Sequence, residues 1–73
     1  MGKRKRDVEK HYGTAEFVAK LRRLADALES GKRFHIQIAG ERIYVSAGAT
    51  FNIEHERGAD EEEVEFQIKW KLT

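Results

Sequence analysis

The sequence predicts an α+β fold: a single antiparallel sheet of four to five strands with one amphipathic helix packed on one face, in the order β-α-β-β-β-β. Three features lead there. From Glu63 to Leu72, the residues Val64, Phe66, Ile68, Trp70 and Leu72 alternate with Glu63, Glu65, Gln67, Lys69 and Lys71. That period of two makes one side of a strand apolar and the other polar. Upstream, Phe17, Leu21, Leu24 and Leu28 recur at the spacing of one helical stripe. Between these stretches, short alternating runs are broken by glycines at turn positions.

A chain of 73 residues has room for one small domain with a thin core. Domains of this size usually need disulfides, a metal or a partner subunit as well. No cysteine is present, which excludes disulfides and thiolate zinc sites and leaves sheet packing helped by self-association. Absent cysteine also fits a cytoplasmic protein. No apolar run approaches the ~20 residues of a membrane-spanning helix. The basic start is not followed by the apolar core of a signal peptide. A soluble protein is expected.

Charge is unevenly placed. Lys3, Arg4, Lys5 and Arg6 hold four of the 14 basic residues, leaving ten against 13 acids in the rest of the chain. Residues 1–6 are thus expected to form a disordered basic tail ahead of a mildly acidic domain at 7–73. A nucleic-acid-binding domain spreads positive charge over its folded surface, and here the excess is confined to the tail.

In chain order, Arg6 to Tyr12 reads as an edge strand with Val8 and Tyr12 inward and charges between them. Thr14 is the expected N-cap of the helix, Glu16 suits the positive end of its first turn, and Ser30-Gly31 ends it with a left-handed cap. Phe34, Ile36 and Ile38 define a second strand. Gly40-Glu41 follows as a two-residue loop of type II′, leading into a third strand from Arg42 to Ser46 with Ile43 and Val45 inward. Ala47-Gly48-Ala49 turns into a fourth strand, Thr50 to Arg57, with Phe51 and Ile53 inward. The turn at Gly58-Ala59-Asp60-Glu61 leads to the last strand.

These loops set a register. Ile53 falls across from Phe66 and Phe51 across from Ile68, while Val45 lies by Phe51 and Ile43 by Ile53. All inward residues then share one face, which a one-residue slip would destroy. On the other face Arg42 lies across from Glu54, Tyr44 from Asn52, and Glu54 from Glu65. The first strand either joins strand five, antiparallel, or joins strand two, parallel, through a right-handed crossover. The first arrangement is preferred because it makes the longest strand internal. Trp70 then lies near Leu28.

The run Leu21-Arg22-Arg23-Leu24-Ala25-Asp26-Ala27-Leu28-Glu29-Ser30-Gly31, together with the alternating C-terminal strand closing on Trp70, resembles the amphi-Trp domain family. The likeness spans nearly the whole chain from about Asp7 and leaves the basic run outside it. It implies a small stand-alone prokaryotic protein, with no established activity, cofactor or catalytic residue to carry over.

The residues themselves offer little chemistry. His35 is expected on the wet face and His55 on the helix side near its rim, with His11 on another strand, so the three do not converge on a metal. Glu54, Glu56, Glu63 and Glu65 gather on the wet face of the last hairpin, where they can take a hard cation. Solvation, with Arg42 and nearby lysines relieving the repulsion, is the simpler account. A flat wet sheet gives such carboxylates no pocket for acid–base work. Neither a nucleophile relay nor a phosphate loop is recognisable.

The expectation is a small non-catalytic binding or protein-interaction module, neither an enzyme nor a cofactor protein. It would use an exposed face of Arg42, Tyr44, Asn52, Glu54, Glu65, Gln67 and Lys69, or a sheet edge, toward another protein or itself. The alternative is nucleic-acid binding through Lys3, Arg4, Lys5 and Arg6, with Tyr44 offering a stacking surface.

Overall fold

Helix α1, Thr14–Ser30, opens and closes on glycine in a computed structural model that describes residues 8–72. Gly13, in extended conformation, is the N-cap, and its carbonyl accepts from Phe17 N–H at 2.9 Å. Thr14 is therefore the first helical residue rather than the cap, and no side chain caps this end. At the other end Gly31 takes φ 70°. Its N–H donates to the Leu28 carbonyl and Lys32 N–H donates to that of Ala27, the paired bonds of a Schellman motif. Residues 8–13 form no strand. Tyr12 instead lies under the Lys20 ammonium, 4.9 Å from the ring centroid, with that of Lys10 at 5.8 Å.

Strands β1, His35–Ile38, and β2, Glu41–Tyr44, form an antiparallel hairpin that pairs Ile36 with Ile43 and His35 with Tyr44. The loop is Ala39-Gly40, not Gly40-Glu41. Both loop residues have positive φ, 50° and 83°, the mark of a type I′ rather than a II′ turn. The correction moves the register by two residues, so every side chain keeps its face. Val45 N–H donates to the Phe34 carbonyl at 2.9 Å and continues the ladder beyond β2. Strands β3, Thr50–Arg57, and β4, Glu62–Lys69, form the second hairpin. Its register is the expected one: Ile53 opposes Phe66, Phe51 opposes Ile68, and Glu54 opposes Glu65. Gly58 N–H closes the turn on the Glu61 carbonyl at 2.8 Å.

The single sheet of four to five strands is not formed. The two hairpins are separate two-stranded sheets, β1-β2 and β3-β4. Val45–Phe51, Ile43–Ile53, Arg42–Glu54 and Tyr44–Asn52 are not ladder partners. The Ser46–Ala49 connection closes on itself, with Ala49 N–H donating to the Ser46 carbonyl at 3.1 Å and Gly48 N–H to Ser46 Oγ at 3.0 Å, but no ladder follows. The last strand also ends at Lys69, short of Trp70 and Leu72. The physical reason is that each hairpin satisfies its inner edge locally. The alternation that fixes its faces says nothing about whether two hairpins dock.

Helix and hairpins instead surround a cavity of about 400 Å³, lined by Leu21 and Leu24, by Ile36 and Ile43, and by Phe66 and Trp70 among others. Trp70 and Leu28 line a second, wider one of about 800 Å³ at the C-terminal end of the helix. Among the described residues only Phe34 (6% exposed) and Val45 (8%) are buried apolar side chains. The radius of gyration is 14.2 Å, against about 11 Å for a compact domain of this length. No helix among the described residues is long and apolar enough to cross a membrane.

Candidate functional site

The β3–β4 hairpin shows two exposed faces of opposite character. On the apolar one, Phe51, Ile53, Val64 and Phe66 are all more than half exposed, Ile53 at 70%. Every residue of β3 is exposed on both faces, whereas a half-buried strand covers one. Toward the turn this face ends in an ionic group. His55 Nε2 donates to Glu62 Oε2 at 2.7 Å, and Arg57 Nη2 and Nε donate to the same oxygen at 3.0 and 3.3 Å. The His55 bond, and then the Arg57 bonds, hold the Glu62 carboxyl below the usual carboxylate range.

The polar face carries an Asn52 Nδ2 to Gln67 Oε1 hydrogen bond of 2.8 Å and the cross-strand pairs Glu54–Glu65 and Glu56–Glu63. Oxygens of Glu56, Glu63 and Glu65 lie within 4.8 Å of one another. Repulsion from Glu65, then partial desolvation and Glu56, raises the Glu63 carboxyl above its ordinary value. Arg42 does not relieve this crowding, because it sits on the other hairpin opposite Gln37.

The β1–β2 hairpin presents an aromatic and cationic group. The Tyr44 ring is 5.6 Å from that of His35, and the Arg33 guanidinium lies 5.1 Å from the Tyr44 centroid. Arg23 of the helix donates to the His35 carbonyl and lies over the Phe34 ring at 5.2 Å, tying α1 to β1. Tyr44 thus already has cation and ring neighbours beside it.

The expected interaction face is therefore split. Asn52, Glu54, Glu65, Gln67 and Lys69 share the β3–β4 hairpin, while Arg42 and Tyr44 belong to β2. Lys3, Arg4, Lys5 and Arg6 lie outside the described residues. His11 precedes the helix, and His35 and His55 stand on different hairpins. The Arg23 tie and the His55–Glu62–Arg57 group were not anticipated. The second had a signal, an acid and a base flanking the last turn with a histidine two residues back on the same face.

A small helix-plus-hairpins α+β protein with an amphipathic terminal strand is the class these features define. The Amphi-Trp domain family matches the chain over residues 2–73, and the chain belongs to that family. The match includes the basic run that the likeness in the sequence left out. No curated protein and no solved structure matches the chain.

Proposed function

We propose that this protein is a non-catalytic protein-interaction module whose contact surface is the apolar face of the β3–β4 hairpin. The observation that carries this is the exposure of Ile53 and Phe66, side by side at 70% and 64%, at the middle of a regular ladder. A monomeric soluble protein rarely leaves such a contiguous apolar patch open, and an open patch of this kind marks a contact site. The outer edge of β3 has no strand partner among the described residues, and such an edge invites a further strand. This moves the contact from the polar side, where the sequence placed it, to the apolar side.

The test is a photoreactive amino acid placed at Ile53 in one version of the full chain and at Asn52, on the opposite face, in another. Irradiation in cells is expected to give protein adducts from position 53 and few from 52. Absence of protein adducts at both positions refutes the proposal. Crosslinks to RNA that vanish when residues 3–6 are removed would favour the nucleic-acid alternative instead.

A further inference from the structure

We infer that the cavity at the C-terminal end of α1 binds a nucleoside phosphate, with the base against the rings of Phe51 and Trp70 and the phosphate held by Lys32 and Arg33. This is a ligand site apart from the protein contact at Ile53, and neither reading stands on the other.

Size and charge set the class of ligand. At about 800 Å³ the cavity falls within the roughly 300–1,000 Å³ of small-molecule sites. Its wall combines the rings of Tyr44, Phe51 and Trp70 with the cations of Lys32 and Arg33, and no carboxylate of the described residues lines it. Neither cation has a carboxylate partner among the described residues. An adjoining cavity of about 660 Å³ shares Ser46 and Trp70 with the first and adds Lys69 and Lys71, again without an acid. Outside residues 3–6 the chain carries more acids than bases. Four cations around one tryptophan, with no carboxylate in either wall, therefore reverse the charge locally and favour an anion.

The rings decide which anion. An aliphatic acid suits a wall of leucine and isoleucine, as in the 400 Å³ cavity, whereas a nucleobase offers a flat face to stack on aromatic side chains. Tyr44 is already engaged, with the Arg33 guanidinium 5.1 Å from its centroid and the His35 ring at 5.6 Å. Phe51 and Trp70 have no ring or cation against them among the described residues, so their faces are open to a base. The planar guanidinium of Arg33, braced by Tyr44, can hold two phosphate oxygens at once. Bare carbonyls at the end of α1 would repel an anion, but those of Ala27 and Leu28 accept from the N–H groups of Lys32 and Gly31.

Trp70 is the single tryptophan, so its fluorescence reports on this site. The experiment titrates the full chain with ATP, adenosine and pyrophosphate, following that fluorescence and the heat of binding, with helical circular dichroism as the folding control. ATP is expected to quench Trp70, with adenosine and pyrophosphate each binding about tenfold more weakly or worse. Lys32→Ala with Arg33→Ala is expected to weaken ATP by at least about tenfold. Arg22→Ala removes a cation outside both cavities and is expected to leave ATP binding unchanged. Should the double variant fail to fold, Lys32→Ala alone, at an exposed position, is expected to weaken ATP several-fold with the helix retained.

No binding of ATP at millimolar concentration overturns the inference. So does pyrophosphate binding as tightly as ATP, which leaves the rings without a role, or ATP binding that the Lys32 and Arg33 variants do not weaken. Binding of oligoadenylate that depends on residues 3–6, with none to ATP, overturns it in favour of the tail. None of these outcomes touches the protein adducts expected from position 53.

Discussion

Replacing Ala39 with asparagine tests the β1–β2 turn directly, because its sign depends on which two residues form the loop. Ala39 has φ 50° and Gly40 φ 83°. Holding an L-residue with a Cβ in the left-handed region costs roughly 1–2 kcal/mol. Asparagine bonds locally there and recovers about half of that, so Ala39→Asn is expected to stabilise the protein by about 0.5–1 kcal/mol. Glycine removes the whole penalty but returns roughly 0.5–1 kcal/mol as freedom of the unfolded chain, so Ala39→Gly gains less. Gly40→Ala is the mirror perturbation. A Cβ at Gly40 meets nothing within 4 Å, so its cost of about 1–2 kcal/mol is backbone strain alone.

The assay is urea unfolding at one fixed protein concentration, since any self-association makes the midpoint concentration-dependent. An unchanged slope assigns the shift to stability rather than to a change in the denatured state. A gain of 1 kcal/mol corresponds to roughly 4–8 °C in Tm for a domain of this size. Were the loop Gly40-Glu41, residue 39 would end a strand, where asparagine is disfavoured. Destabilisation by Ala39→Asn therefore refutes the type I′ assignment and the Ile36–Ile43 register that depends on it.

Phe34→Ala is expected to cost about 3–5 kcal/mol, because the side chain is 6% exposed and no side chain among the described residues is fully buried. Against a total of roughly 4–11 kcal/mol for this length, loss of most amide dispersion in the proton NMR spectrum is the outcome to look for. Gly31→Ala keeps clear space but forces alanine to φ 70°, and a loss of about 1 kcal/mol in thermal unfolding is expected. Glu63→Gln is expected to stabilise the hairpin at neutral pH. The raised carboxyl of Glu63 means that ionising it opposes folding; this penalty is absent below the unfolded value and appears as pH rises through the folded one. The gain should therefore vanish in acid, and a pH-independent gain contradicts the repulsion. Glu62→Gln should behave oppositely: the Glu62 carboxyl is lowered, so its contribution is present above the unfolded value and lost as pH falls through the folded one.

Local signals survived where the residues that carry them are adjacent in sequence. The stripe of Phe17, Leu21, Leu24 and Leu28 and the glycine at 31 gave the helix, and a four-residue turn gave the whole β3–β4 register. At Gly40 the chemistry was ambiguous, since glycine serves the second position of a I′ loop and the first of a II′ loop. Only the positive φ of Ala39 decides between them. The N-cap shifted for a related reason: Gly13 and Thr14 are both acceptable caps, and the hydroxyl of Thr14 finds no amide to bond. Of the candidate site, the cross-strand carboxylates were legible through parity, while Arg42 and Tyr44 were lost with the pairing of β2 to β3.

That loss bears on function. Alternation in β3 states that Phe51 and Ile53 need a cover, and the apolar side of β4 repeats the demand through Val64 and Phe66. Neither pattern states whose atoms supply it. A reading that assumes a self-sufficient monomer assigns the cover to the chain's own helix, and Leu21 and Leu24 do reach the cavity wall formed by Phe66 and Trp70. One stripe of a 17-residue helix is narrow, however, and it already faces Ile36 and Ile43 of the other hairpin. Two hairpins thus share one helical face, and the outlying one keeps Ile53 and Val64 in water. The same alternation that predicts a covered sheet in a larger protein therefore leaves, in a chain this small, an apolar strand face that its one helix does not cover.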